Sequence, residues 1–359
     1  MPLLLSVTPH QLQFKFDART SRGAMRVHQV YYFELHDSEN PKVTGVGECA
    51  PLPGLSIDAR PELEAKLSQL AAAVNEQHLA VDELQQMLKS AELRDWPAIR
   101  FALETALLDL KQGGRKILYT SEFSQGTAGI PINGLIWMGE KDFMQEQIRK
   151  KLAEGYTCLK LKIGSLDFAT ELDLLHQIRE VAGPEDLTIR VDANGAFAPD
   201  EAFRKLERLA RYNLHSIEQP IRQGQPEQMQ QLCAYTPVPI ALDEELIGVQ
   251  ETALQMELLD FVKPQYIILK PTLVGGLQAS ADWIRLAEER GIDWWMTSAL
   301  ESNIGLNAIS QFTAGKDISI PQGLGTGQLY HNNIASPLQI RKGWLWYSNG
   351  AWGELQKPV

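Results

Sequence analysis

The chain has 359 residues, 44% of them hydrophobic and 22% charged, the make-up of a globular protein large enough for two domains or one α/β barrel with attachments. A formal net charge of -11 argues against nucleic acid and anionic membrane surfaces as partners, but leaves an anionic small molecule open, because a local cluster outweighs an average. Three well-separated cysteines without a CxxC pair argue against a disulfide framework or a cysteine-rich zinc site and fit a reduced, cytoplasmic setting.

The opening MPLLLSVTPH lacks a basic start, and its apolar run is too short for a signal peptide or a membrane span. VHQVYYFELHD (27–37) alternates as a strand does, and GVGECAPLPG (45–54) supplies turn residues. Helical stretches follow at 59–90 and 97–111, where AIRFALETALLDL spaces its apolar residues at helical intervals. Residues 1–127 therefore read as an α+β module.

The texture changes over residues 128–327. Short apolar runs (INGLIWM, CLKLKIG, LTIRVDAN, LHSIEQP, PIALDEE, YIILKP, DWWMTSA and QGLGTG) alternate with helix-like stretches such as 141–154, 167–182, 199–212 and 276–290. Strands alternating with helices predict a parallel sheet, and eight such runs fit a TIM-type barrel. A doubly wound open sheet fits less well, because no GxGxxG opens a helix after an early strand; GLGTG (323–327) has the wrong spacing and reads as a turn. The tail, 328–359, contains strand-like WLWYSNGAWGE and is expected to return to the first module.

Five of the barrel runs end in a charge at the same phase: Lys162, Asp192, Glu218, Asp243 and Lys270, each about one strand–helix unit after the last. The C-terminal rim of a barrel is where active sites form. Taken singly, an Asp, Glu or Lys after a strand is usually a helix cap or a solvated residue. Taken in register, three converging carboxylates repel at low dielectric unless a cation sits among them. All-oxygen ligands favour a hard ion, so Asp192, Glu218 and Asp243 read as ligands of Mg²⁺.

Lys160 and Lys162 share one face of their strand, and Leu159, Leu161 and Ile163 share the other. A free lysine, with a pKa of about 10.4, is a poor base at neutral pH; a depression of about three units, or roughly 4 kcal/mol, is needed. A second ammonium, a dication and a dry mouth all push that way. Lys160 is thus expected to tune Lys162, and Lys162 to move a proton next to a substrate carboxylate.

KLKIG, VDANGAF, IEQP, LDEE and LKPTLVGG resemble the enolase superfamily, in its muconate-lactonizing branch, and GVGECAPLPG and ALETALLDL resemble that family's capping domain. The resemblance implies a modified (β/α)7β barrel, an N-terminal α+β cap completed by the C-terminal tail, Mg²⁺ on Asp192, Glu218 and Asp243, and Lys162 and Lys270 on opposite faces of a small-molecule carboxylate. The mandelate racemase branch needs a late barrel histidine, and DWWMTSALES has none; His176, His215 and Lys263 read as structural.

MTSALESNIGLNAI followed by PQGLGTGQLY resembles the o-succinylbenzoate synthase family, carbon–oxygen lyases that dehydrate a succinyl-hydroxycyclohexadiene carboxylate in menaquinone biosynthesis. The second reading is an N-acylamino acid racemase or dipeptide epimerase; dipeptide epimerases typically carry Asp-x-Asp after the eighth strand, where this chain has GTGQ. A metal-stabilised barrel without activity is the third, and the presence of all five charged positions weighs against it. For anchoring the substrate, Asn194 follows Asp192 on the same face, Ser298 ends the seventh run, and Arg22 lies in FDARTSRGAMR, read as a loop over the mouth.

Overall fold

The computed structural model describes residues 2–20 and 23–355. Three long strands, β1 (Leu3–Thr20), β2 (Gly23–Asp37) and β3 (Asn40–Cys49), form an antiparallel sheet in chain order. Both faces of β2 are covered. Tyr31, Phe33 and Leu35 pack toward the helices α1 (Leu63–Glu76), α2 (Val81–Leu88) and α3 (Pro97–Lys111), while Val30 and Tyr32 pack with Leu273, Ala299 and Leu300 of the barrel. The apolar run at 30–33 follows from that double burial.

Two expectations change here. The single helical stretch at 59–90 is two helices, because His78 turns into the left-handed region (φ 52°) and the Glu83 side chain accepts the Ala80 amide at 2.7 Å to start α2 afresh. GVGEC is strand rather than turn. A Cβ on Gly45 would fall 2.0 Å from the Ala106 carbonyl oxygen, and one on Gly47 1.9 Å from that of Ala102. These glycines let α3 lie directly on β3, a close approach that no turn is needed to explain.

After β4 (Gly129–Pro131), strands and helices alternate: β5 (Gly134–Ile136), α4 (Lys141–Ala153), β6 (Cys158–Lys162), α5 (Phe168–Val181), β7 (Thr188–Asp192), α6 (Pro199–Leu209), β8 (Ser216–Glu218), α7 (Pro226–Tyr235), β9 (Ile240–Leu242), α8 (Thr252–Val262), β10 (Tyr266–Leu269), α9 (Pro271–Val274), α10 (Leu277–Glu288), β11 (Asp293–Met296) and α11 (Asn303–Ala314). Proline at the first turn of α3, α6, α7 and α9 sets the helical φ where no amide donor is needed.

The seven strands β5 to β11 pair in parallel in chain order. Residues 322–323 close the ring: Gly323 N donates to Met296 O at 2.7 Å on one side, and Asn133 N donates to Gln322 O at 2.9 Å on the other. The result is a (β/α)7β barrel. Gly323 therefore belongs to the closing strand, and only Thr326–Gln328 turn, as a 3-10 helix. The tail first pairs with β1, where Lys15 N donates to Leu329 O and His331 N to Gln13 O, both at 2.9 Å. It then forms a hairpin, β12 (Leu338–Arg341) and β13 (Trp344–Tyr347), whose second strand pairs with β4. No helix among the described residues is long and apolar enough to cross a membrane.

Candidate active site

Lys162, Asp192 and Glu218 are the last residues of β6, β7 and β8 and stand side by side in register; Asp243 and Lys270 come one residue after β9 and β10. Strand alternation puts Lys160 one layer deeper on the same interior face, beside Arg190, its partner in register. Arg190 is 1% exposed, lies over the Trp295 ring at 4.1 Å and donates to Pro321 O at 2.7 Å.

The lysines and carboxylates interlock. Lys160 Nζ and Lys162 Nζ share Asp192 Oδ2, at 2.9 and 2.8 Å. Lys160 also pairs with Glu218, and Lys270 pairs with Asp243 and lies 3.9 Å from Glu218 Oε1. Burial alone would raise Asp192, but Lys160 and Lys162 outweigh it and hold the carboxyl well below its ordinary range. Burial works the same way on Asp243, which the Lys270 charge holds low. Burial and the neighbouring Asp192 charge push Glu218 well above the ordinary range.

For Lys160, burial disfavours the ammonium, yet Asp192 and Glu218 more than compensate and raise it. Lys270 is raised in the same way, chiefly by Asp243 against burial. Lys160 therefore does more than act as a like charge on Lys162: its ammonium grips two of the three acids, because the barrel interior offers it no water and those oxygens lie nearest.

Asn194, in the left-handed region at φ 43°, accepts from Lys162 Nζ at 2.7 Å and donates to Glu244 Oε1 at 3.0 Å, so it orients the lysine. Gln219 and Leu300 are likewise left-handed, at 40° and 66°, so backbone strain gathers at the rim. Ser298 faces the same space, but its hydroxyl donates to Glu301 Oε2 at 2.7 Å and accepts from Thr326. Arg22 lies outside the described residues. His176 is exposed on α5; His215 precedes β8, lowered to about 4 by burial and the Arg190 charge; Lys263 closes α8 at φ 53°.

Above the charges lies a cavity of about 350 Å³, reached by Lys160, Lys162, Lys270, Asn194 and Ser298. Its other walls were not picked out from the sequence: Leu52 and Leu55 after β3, Trp137 after β5, and Asn133 and Thr297 flanking the closing strand. Asn133 Oδ1 and Thr297 Oγ1 are buried without a hydrogen-bond partner. Their only sequence signal is position at strand ends, since the apolar walls look like any core residue.

Asp192, Glu218 and Asp243 are each at most 2% exposed and form an all-oxygen donor set on three adjacent strand ends, with Glu218 Oε1 lacking a hydrogen-bond partner. That chemistry fits a hard divalent ion such as Mg²⁺. As placed, the three ammoniums lie against those oxygens, and no three acid, histidine or cysteine side chains among the described residues form an open ligand cluster.

The profile of the Enolase C-terminal domain-like family matches residues 143–351. The chain is 48% identical to an o-succinylbenzoate synthase of Desulfotalea psychrophila, across 95% of this chain and 98% of that protein. The crystal structure of MenC from the same organism superposes with a TM-score of 0.84 at 45% identity, covering 96% of this chain and all of that one. The dipeptide epimerase of Enterococcus faecalis, solved with Mg and the dipeptide L-Leu-L-Tyr, shares the fold (TM-score 0.82) at 20% identity, over 98% of this chain and 99% of that one.

Proposed function

The chain belongs to the o-succinylbenzoate synthase family, within the enolase C-terminal domain-like proteins, and we propose that Lys162, Lys270 and the three rim carboxylates carry out that family's reaction at its barrel mouth. The enzyme is a carbon–oxygen lyase that dehydrates 2-succinyl-6-hydroxy-2,4-cyclohexadiene-1-carboxylate to o-succinylbenzoate. We assign the step to menaquinone formation, in the cytoplasm, a setting compatible with three free cysteines.

Lys162 Nζ takes the proton from the ring carbon that bears the carboxylate. The C–H electron pair first spreads onto the carboxylate as an enediolate, then returns to form the third ring double bond as the neighbouring C–O bond breaks, and the departing hydroxide receives a proton from Lys162 to leave as water. Lys270 enters from β10, four strands from β6 in a ring of eight, and so faces the ring from the other side, with its ammonium toward the negative charge that develops on the carboxylate. Asn194 and Asp192 hold the Lys162 amine in place, and Lys160 holds Asp192 and Glu218. Asp192, Glu218 and Asp243 would hold Mg²⁺, which when bound supplies fixed positive charge that makes the proton beside the carboxylate more acidic.

The observation that carries this reading over a dipeptide substrate is the charge balance. With Lys162 acting as the neutral base, Lys160, Lys270 and Arg190 face Asp192, Glu218, Asp243 and Glu244, so a bound dication would leave the mouth with a single net positive charge. A net positive mouth favours a carboxylate anion over a zwitterion, and GTGQ brings no acid for the ammonium of a dipeptide. Incubating the protein with the cyclohexadiene carboxylate, with and without EDTA, tests it. Metal-dependent loss of the diene absorbance is expected. Racemisation of N-succinyl amino acids without any loss of the diene would overturn the assignment.

A further inference from the structure

Two buried glutamates outside the reacting centre join three walls of the cavity. Glu48, near the end of β3, is 0% exposed and reaches the first turn of α11, accepting from Ser302 N at 2.7 Å, Ser302 Oγ at 2.6 Å and Gly305 N at 2.8 Å. Glu301, also 0% exposed, accepts from Thr272 Oγ1, from Ser298 Oγ at 2.7 Å and from Ala299 N at 2.8 Å. Burial raises the pKa of both carboxyls, with the Glu301 charge adding to it at Glu48, and the pair is held by these six donors.

Gly305 makes the approach possible. A Cβ there would fall 2.7 Å from Glu301 Cβ and Cγ and 3.1 Å from Glu48 Oε2. The partners then fan out to the site. Glu48 is followed by the segment that carries Leu52 and Leu55, Thr272 comes two residues after Lys270, and Ser298 and Ala299 line the cavity. Leu300, left-handed between them, is fixed through its carbonyl by Tyr330 Oη at 2.6 Å and His28 Nδ1 at 3.1 Å, and His28 Nε2 reaches Pro51 O at 3.3 Å.

We propose that Glu48 and Glu301 are positioning residues which, anchored on α9 through Thr272, together set the spacing of the 52–55 segment and the Ser298 loop, and so fix the part of the cavity that receives the substrate's acyl side chain rather than its reacting ring. The inference rests on the dehydration reading for the identity of that side chain. It predicts that weakening the junction costs side-chain binding and leaves the chemistry largely intact. In Glu48→Gln the amide nitrogen cannot accept from Gly305 N, so the junction loosens without a change of size.

The test uses the whole chain with Mg²⁺. Wild-type turnover of the cyclohexadiene carboxylate decides the dehydration reading by itself. Calorimetric Kd values for o-succinylbenzoate and for benzoate, which lacks the side chain, decide the positioning role whether or not turnover is seen. For Glu48→Gln the o-succinylbenzoate Kd and the KM are expected to rise at least tenfold, with the benzoate Kd and kcat within threefold of wild type. Glu48→Asp, which keeps the charged acceptor, should recover part of the loss.

Should Glu48→Gln not fold, Ser302→Ala decides, since it deletes one of the three Glu48 donors. A twofold to fivefold rise confined to the succinyl compound supports the role. Unchanged Kd and KM, or equal weakening of both ligands, would overturn it, even alongside a lower melting temperature or a smaller active fraction.

Discussion

Asp58 offers a test of the electrostatics of the capping layer that is independent of turnover. It is 0% exposed and caps α3 by accepting from Ala98 N at 2.7 Å with one oxygen, while the other has no partner. Burial pushes its carboxyl from 3.8 up to about 7, against the Ala98 amide and the Arg60 charge. Between those two values the folded chain holds a proton that the unfolded chain has released, so stability must fall as pH rises through that window. About three units at 1.36 kcal/mol each make roughly 4 kcal/mol in all, of which about 3 kcal/mol is lost between pH 5 and pH 8. Asp58→Asn keeps an oxygen for Ala98 N, places its amide where the neutral acid carries its proton, and does not titrate. Urea unfolding of both proteins should show the variant gaining on wild type by about 3 kcal/mol between pH 5 and pH 8. Parallel stability curves would mean that Asp58 ionises normally and that its burial costs little.

Lys162→Ala should lower kcat by roughly 10² to 10⁴-fold, the usual worth of a positioned acid–base group, with an unchanged circular dichroism spectrum. Activity near that of wild type would remove Lys162 from the proton transfer. Asp243→Asn should weaken Mg²⁺ binding at least tenfold by calorimetry, because it takes one charge from the donor set; equal affinity would place the ion elsewhere. Gly47→Ala drives a Cβ to 1.9 Å from Ala102 O and must push α3 off the sheet, so a loss of about 3 kcal/mol or more in unfolding free energy is expected. A variant as stable as wild type would show that α3 and β3 do not pack as closely as described.

What was readable from the chain and what was not divide along one physical line, the reach of the contact that gives a residue its role. Parallel strand–helix units of similar length put Lys162, Asp192, Glu218, Asp243 and Lys270 in phase, and local alternation alone says that they share a rim. The helices of the barrel were visible for the same reason, since their apolar spacing acts within a turn or two. Gly45 and Gly47 could not be read so. A glycine marks either a positive φ or a close approach; here φ is not positive, and the approaching atoms belong to α3, more than fifty residues on. The break at His78 turns on a single left-handed residue that no periodicity announces. Glu48 and Glu301 are the sharpest case. Their sequence neighbours suggest ordinary solvated acids, and only the donors from Ser302 and Gly305, 254 and 257 positions from Glu48, make burial tolerable. A charge that folds into such a site is costly unless every donor arrives, so its retention there ties the cap to the barrel walls more tightly than apolar packing alone would.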